Sequence, residues 1–176
     1  MLRQLLLRLV GRTPISVKRL KKAGARVGNG VSIYTNQIDL SFAPLLSIGD
    51  NVTLSDCRLL LHDASTKREL GYTKVGRIII GNNVFIGADA VVLPNVVIGN
   101  NVIVGAASVV TKDVPENSVV VGSPAKVIGT YDEYISKNKE LLKKGPVFNV
   151  YHSKKNAKDW EEEIAALSSG GFGFDV

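Results

Sequence analysis

The stretch Ile80-Gly81-Asn82-Asn83-Val84-Phe85-Ile86-Gly87-Ala88-Asp89-Ala90-Val91-Val92-Leu93-Pro94-Asn95-Val96-Val97-Ile98-Gly99-Asn100-Asn101-Val102-Ile103-Val104-Gly105-Ala106-Ala107-Ser108-Val109-Val110-Thr111-Lys112-Asp113-Val114-Pro115 is one six-residue word written six times. Each unit is led by an aliphatic residue, Ile80, Ile86, Val92, Ile98, Val104 and Val110, and its fifth position is apolar or small: Val84, Ala90, Val96, Val102, Ser108 and Val114. Successive side chains of a strand point to opposite faces, so Val84 and Ile86 can face inward while Phe85 faces out. Between these short strands lie corners such as Gly81-Asn82-Asn83 and Gly87-Ala88-Asp89, made of residues that tolerate left-handed backbone. Coils this short must stack to satisfy their backbone groups. The stretch therefore predicts a mainly β fold, a β-solenoid.

Working outward, 176 residues with 45% hydrophobic content and 17 glycines fit one globular repeat domain with appendages. The net charge of +6 is uneven. Residues 1–26 hold eight basic side chains and no acidic one, leaving 14 basic against 16 acidic over the remainder. The basic character belongs to an N-terminal arm. The single cysteine, Cys57, excludes an intrachain disulfide and reads as a buried, inert thiol in a reducing compartment. No apolar run approaches the roughly 20 residues that span a bilayer, and a cytoplasmic location is expected.

In chain order, residues 1–23 predict two helical pieces broken around Gly11 to Pro14, with Leu2, Leu5, Leu6 and Leu9 on one face of the first. Such an arm either caps the solenoid end or lies as a basic amphipathic element on an anionic membrane surface, at the inner face. Nucleic acid is not expected as a partner, because no aromatic residue is interleaved with these charges. Hexads begin at Val27, are lost across about 38–47, and resume at Ile48, Leu54 and Leu60; this register places Cys57 in a corner. A second interruption, an excursion loop at about 62–79, precedes the restart at Ile80. Loops that leave a rigid repeat are where function concentrates. Past Pro115 the register decays, and a helix is expected from the Thr130/Glu133 capping box to Gly145-Pro146, with another near Asn156 to Leu167. The predicted organisation is a basic helical arm at 1–26, a solenoid at 27–129 and a C-terminal helical extension at 130–176.

The outward positions Phe85, Val91, Val97, Ile103 and Val109 are all apolar, where a solvated strand face would be polar. If three units make a turn, Phe85 stacks on Ile103 and Val91 on Val109. Such patches predict self-association.

Both the hexads and the words that interrupt them resemble the hexapeptide-repeat acyltransferases, which include galactoside, maltose and polysaccharide O-acetyltransferases. The resemblance covers roughly Val27 to Gly129. Its most specific parts are His62-Asp63 with the loop after it, Ile80 to Gly87, Val104 to Pro115, and Gly122-Ser123-Pro124-Ala125-Lys126-Val127-Ile128. It implies a left-handed parallel β-helix, a homotrimer with sites between subunits, and acetyl transfer from acetyl-coenzyme A to a sugar or glycan acceptor, to oxygen more than to nitrogen. It assigns His62 as general base, and a neutral imidazole can take an acceptor's proton near pH 7. Asp63 is a candidate to orient His62 or touch the acceptor, and His152, among lysines, reads as a surface residue. Carried over by position, Ala88, Ala106, Thr111, Lys112 and Lys126 match the coenzyme groove, with Ala88 and Lys126 standing where galactoside acetyltransferases have serine and arginine. No metal is implied. A metal-dependent carbonic anhydrase built on a similar prism needs three histidine ligands, and the chain has two histidines in all. The rival class is a non-catalytic solenoid that binds or assembles.

Overall fold

Inward aliphatic residues recurring along the chain stack into three columns, and these columns are the core of the solenoid. The computed structural model describes residues 13–176; the first expected helical piece of the arm, with Leu2 to Leu9, lies outside them. One column runs Ile33, Leu54, Ile86, Val104 and Val120. The second runs Val27, Ile48, Ile80 and Ile98, and the third Ile38, Leu59, Val92 and Val110. Most of these side chains are fully buried, and each contributes roughly 1.5–3 kcal/mol through its burial.

The strands form three parallel faces. The first face holds Arg26–Val27, Leu46–Ile48, Ile78–Ile80 and Val96–Ile98. The second holds Ser32–Ile33, Thr53–Leu54, Val84–Ile86, Val102–Val104 and Ser118–Val121, and the third Arg58–Leu59, Val91–Val92 and Val109–Val110. In the regular part three hexads make one coil: Phe85 pairs with Ile103 and Val91 with Val109. Beyond Pro115 the chain adds one more strand, Ser118–Val121, then reverses into an antiparallel edge, Lys126–Thr130.

The corners follow from their residues. Asn51, Asp56, Asn83, Asp89, Asn95, Asn101, Ala107 and Asn117 lie at φ between +47° and +63°, the left-handed region that Asn and Asp enter at least cost after glycine. Ala107 has no polar side chain to ease it. Between the first and second faces the corner word Gly-Asn-Asn is a stacking device. Asn82 Oδ1 accepts from the Asp50 N–H at 2.8 Å and Asn100 Oδ1 from the Asn82 N–H at 2.8 Å. The third residue continues the ladder, with Asn83 Nδ2 donating to Asn101 Oδ1 at 3.0 Å.

Three register expectations are corrected. Leu59 and Leu61, not Leu60, face inward, and Cys57 is a fully buried core residue and not a corner. The reason is local: Asp56 takes the left-handed corner two residues after Leu54, whereas Asp89 does so three after Ile86, so the following strand starts one residue early. After the excursion the solenoid resumes at Ile78, which is buried and pairs with Leu46 and Val96.

Two helices accompany the solenoid within the described residues up to Tyr131: α1, Val17–Lys22, capped by Ser16 and anchored by buried Leu20, and α2, Lys67–Leu70, inside the excursion. A second unit, Asp132–Val176, comprises most of α3, Tyr131–Lys144, together with α4, Ala157–Leu167, and a parallel strand pair, Val147–Phe148 with Phe174–Asp175. A capping box between Asn156 and Asp159 starts α4. Inside this unit the Lys155 side chain is 1% exposed, bonded to Glu163 and, at 2.8 Å, to Asp175. Its Nζ lies 4.6 Å from the Trp160 ring centroid. Burial works against the Lys155 charge, but the hydrogen bonds to Asp175 and Glu163 outweigh it and hold the ammonium above its ordinary pKa.

Candidate functional site

His62 leaves the solenoid at the corner between the third and first faces. It opens an antiparallel ribbon, His62–Asp63 with Lys74–Val75, in which His62 faces Val75 and Asp63 faces Lys74. The ribbon is seated on the next coil, where a Cβ on Gly76 would lie 2.5 Å from the Asn95 nitrogen. The imidazole is 38% exposed.

The carboxylate that holds it is Asp39, from the preceding coil. His62 Nδ1 pairs with Asp39 Oδ2, while Asp39 Oδ1 accepts from the Ser41 N–H at 3.2 Å. Asp39 caps a short 3-10 helix, Leu40–Leu45, and the third residue of that helix, Phe42, stacks on the His62 ring at 4.8 Å between centroids and 26° between planes. A bond from Nδ1–H to a carboxylate keeps the proton on Nδ1 and leaves Nε2 as the basic nitrogen. Nε2 makes no hydrogen bond with any described residue. Such an imidazole can accept a proton from a bound hydroxyl or amine.

Asp63, the sequence candidate for orienting His62, points elsewhere. It forms an ion pair with Lys74 at 2.7 Å and accepts from the Ser65 N–H at 2.8 Å. The Lys74 ammonium, with the Ser65 N–H behind it, holds the Asp63 carboxyl well below the usual carboxylate range. It latches the ribbon. Sequence reasoning missed Asp39 and Phe42, which sit where the hexad register is lost. The available signal was that loss itself: interruptions in consecutive coils, at 38–47 and after His62, leave from one corner and so meet.

The expected coenzyme residues occupy three places. Ala88 and Ala106 belong to the corner between the second and third faces in neighbouring coils, where the Ala107 N–H donates to the Ala88 carbonyl at 2.8 Å. Thr111 and Lys112 are exposed at the corner on the far side of the third face, the corner that also carries His62 two coils earlier. Lys126 starts the antiparallel edge strand opposite Val121. Ala88 is half-buried, and Ala106, Thr111, Lys112 and Lys126 are exposed. His152 is exposed and rests against Tyr151. Among the described residues no three His, Cys, Asp or Glu side chains gather to hold a metal.

Comparison with known proteins adds kinship to this geometry. Residues 77–112 match the family model described as bacterial transferase hexapeptide (six repeats). Protein CapG of Staphylococcus aureus is 39% identical over 143 residues, 77% of this chain and 83% of that protein. A galactoside acetyltransferase solved in complex with coenzyme A aligns with a TM-score of 0.52 at 30% identity, over 66% of this chain and 70% of that one. A hexapeptide-repeat acetyltransferase from Vibrio cholerae, solved with acetyl coenzyme A, aligns with a TM-score of 0.51 at 26% identity; the match spans 61% of each chain. These likenesses carry the left-handed parallel β-helix, which the hexads alone leave without a hand. On repeat, fold and kinship together, the chain belongs to the hexapeptide-repeat acyltransferase family.

Proposed function

We propose that the protein moves an acetyl group from acetyl-coenzyme A to a hydroxyl of a sugar, glycan or nucleotide-sugar, with His62 as general base. The observation that carries this reading is the pairing of His62 Nδ1 with Asp39 on a half-exposed ring, which leaves Nε2 without a hydrogen bond among the described residues. The acceptor oxygen attacks the thioester carbonyl as Nε2 takes its proton. The tetrahedral intermediate then collapses, the carbon–sulfur bond breaks, and the departing thiolate recovers the proton from His62, giving an acetyl ester and coenzyme A. Asp39 stabilises the transient imidazolium and fixes its tautomer. The coenzyme runs along the third face between the Ala88/Ala106 corner and the Thr111/Lys112 corner, with Lys112 and Lys126 toward its phosphates. Phe85 and Val97, each 43% exposed on two different faces, support a homotrimer in which neighbouring solenoids close this groove.

The test is release of coenzyme A thiol from acetyl-coenzyme A in the presence of a panel of oligosaccharides and nucleotide-sugars. His62→Ala is expected to lower turnover by about 10²–10⁴-fold with coenzyme binding retained. Asp39→Asn, which keeps the shape and removes the charge, is expected to lower kcat on the order of 10²-fold. A native His62→Ala protein with unchanged transfer would sink the assignment, and absence of acetyl-coenzyme A binding would favour a non-catalytic solenoid.

A further inference from the structure

We infer that Phe42 is a positioning residue for this reaction: its ring clamps the imidazole of His62 from one face while Asp39 holds the edge. The inference rests on the acetyl-transfer reading. One hydrogen bond at Nδ1 fixes a point on the ring but leaves it free to pivot about that bond, and at 38% exposure solvent alone would not stop the swing. The Phe42 ring, 4.8 Å away and 26° from parallel, removes that pivot, within the range where aromatic faces attract.

Both restraints come from one turn. Asp39 is the N-cap of the 3-10 helix and Phe42 lies three residues on, inside the same turn. The Phe42 N–H donates to the Asp39 carbonyl at 3.3 Å. Its backbone, at φ −112° and ψ 15°, departs from helical values at this residue, in the bridge region where side chains are often aimed for function. The turn itself is immobilised from below: Ala43 is fully buried, and Leu40 and Leu45 pack on the core. Phe42 is half-buried and joins that packing, so the clamp is tied to the rigid part of the molecule. A base misplaced by about 1 Å costs up to 10²-fold in rate, which sets the scale of what the stack protects.

The experiment compares Phe42→Leu, which keeps apolar volume and loses the ring face, with Phe42→Tyr, which keeps the face. Each is studied in the full chain by steady-state kinetics and by ¹⁵N NMR of the imidazole of His62. Phe42→Leu is expected to lower kcat about tenfold with the KM for acetyl-coenzyme A unchanged, and to replace a single Nδ1-protonated tautomer by averaged ¹⁵N shifts. Phe42→Tyr is expected to retain wild-type kcat and spectrum. Wild-type kcat and an unchanged His62 spectrum in Phe42→Leu overturn the inference, as does a loss in Phe42→Tyr equal to that in Phe42→Leu. If the wild-type protein transfers acetyl to no acceptor, the acetyl-transfer reading fails by itself, and the ¹⁵N spectra still decide whether Phe42 holds the ring.

Discussion

Cys57 and His62 sit five residues apart, and the packing of one coil gives them opposite chemistry. Cys57 has no exposed surface, and burial pushes its thiol up from an ordinary value near 9 to about 12. Its carbonyl accepts from the buried Thr35 hydroxyl at 2.6 Å, which ties its backbone to the preceding coil. Between the unfolded and folded values the folded chain binds the proton more tightly than the unfolded chain. Stability is therefore full below about pH 9 and falls as pH rises toward about 12. Denaturant titrations across that range are expected to show the decline in wild type and a shallower one in Cys57→Ala. An aromatic disulfide reagent at neutral pH is expected to react with Cys57 only after unfolding; rapid reaction of the native protein would contradict its inertness. An inert thiol was legible from composition. Its core position was not, because the short corner at Asp56 shifts the register by one residue, and one residue exchanges inside for outside.

At the scale of the element, the corner is what makes coils stackable. A Cβ on Gly81 would lie 2.7 Å from Asn100 Oδ1 and 2.8 Å from the Gly99 carbonyl, so glycine is required there by the closeness of the next coil. Gly71, at the end of α2, is the opposite case: φ is +76° and nothing lies within 4 Å of its added Cβ. Gly81→Ala is expected to cost about 1–3 kcal/mol through overpacking, seen as a lowered Tm. Gly71→Ala is expected to cost about 1 kcal/mol or less from backbone conformation alone. Equal melting temperatures for the two variants would refute the stacking account. The hexad word announced this corner, since Gly-Asn-Asn encodes a close approach, a side chain that accepts from the preceding coil, and a left-handed turn. The ribbon at 62–75 carries no such periodic word, and its short strands and α2 emerge only from contacts.

For the whole molecule the question is what covers the outward apolar residues. Phe85 stacks on Ile103 and Val97 on Ile79, so the patches run along the solenoid faces in rows. Sedimentation velocity at micromolar concentration is expected to show a trimer for the wild-type chain, and a shift toward monomer for Val97→Lys with native circular dichroism; a wild-type monomer removes the intersubunit groove. The 18-residue coil followed only if three units make a turn, and the parallel stacking came with the family resemblance; the inward, outward and corner positions of each regular hexad were legible beforehand, as was the histidine at the edge of the excursion. These are local statements. Each hexad states its own inside, outside and corner, and stacking only repeats it. Which carboxylate meets His62 is a different kind of fact. It depends on the offset between neighbouring coils, and the 3-10 helix at Leu40–Leu45 lengthens that coil so that Arg26 pairs with Ser47 and Ile38 with Leu59. Asp63, next in sequence, turns to Lys74, while Asp39, from one coil away, turns to His62. The repeat determined by itself which residues of each regular hexad face in, face out or turn the corner; only the folded stack of irregular coils decided the partners of the base, because contacts between coils depend on insertions that no period records.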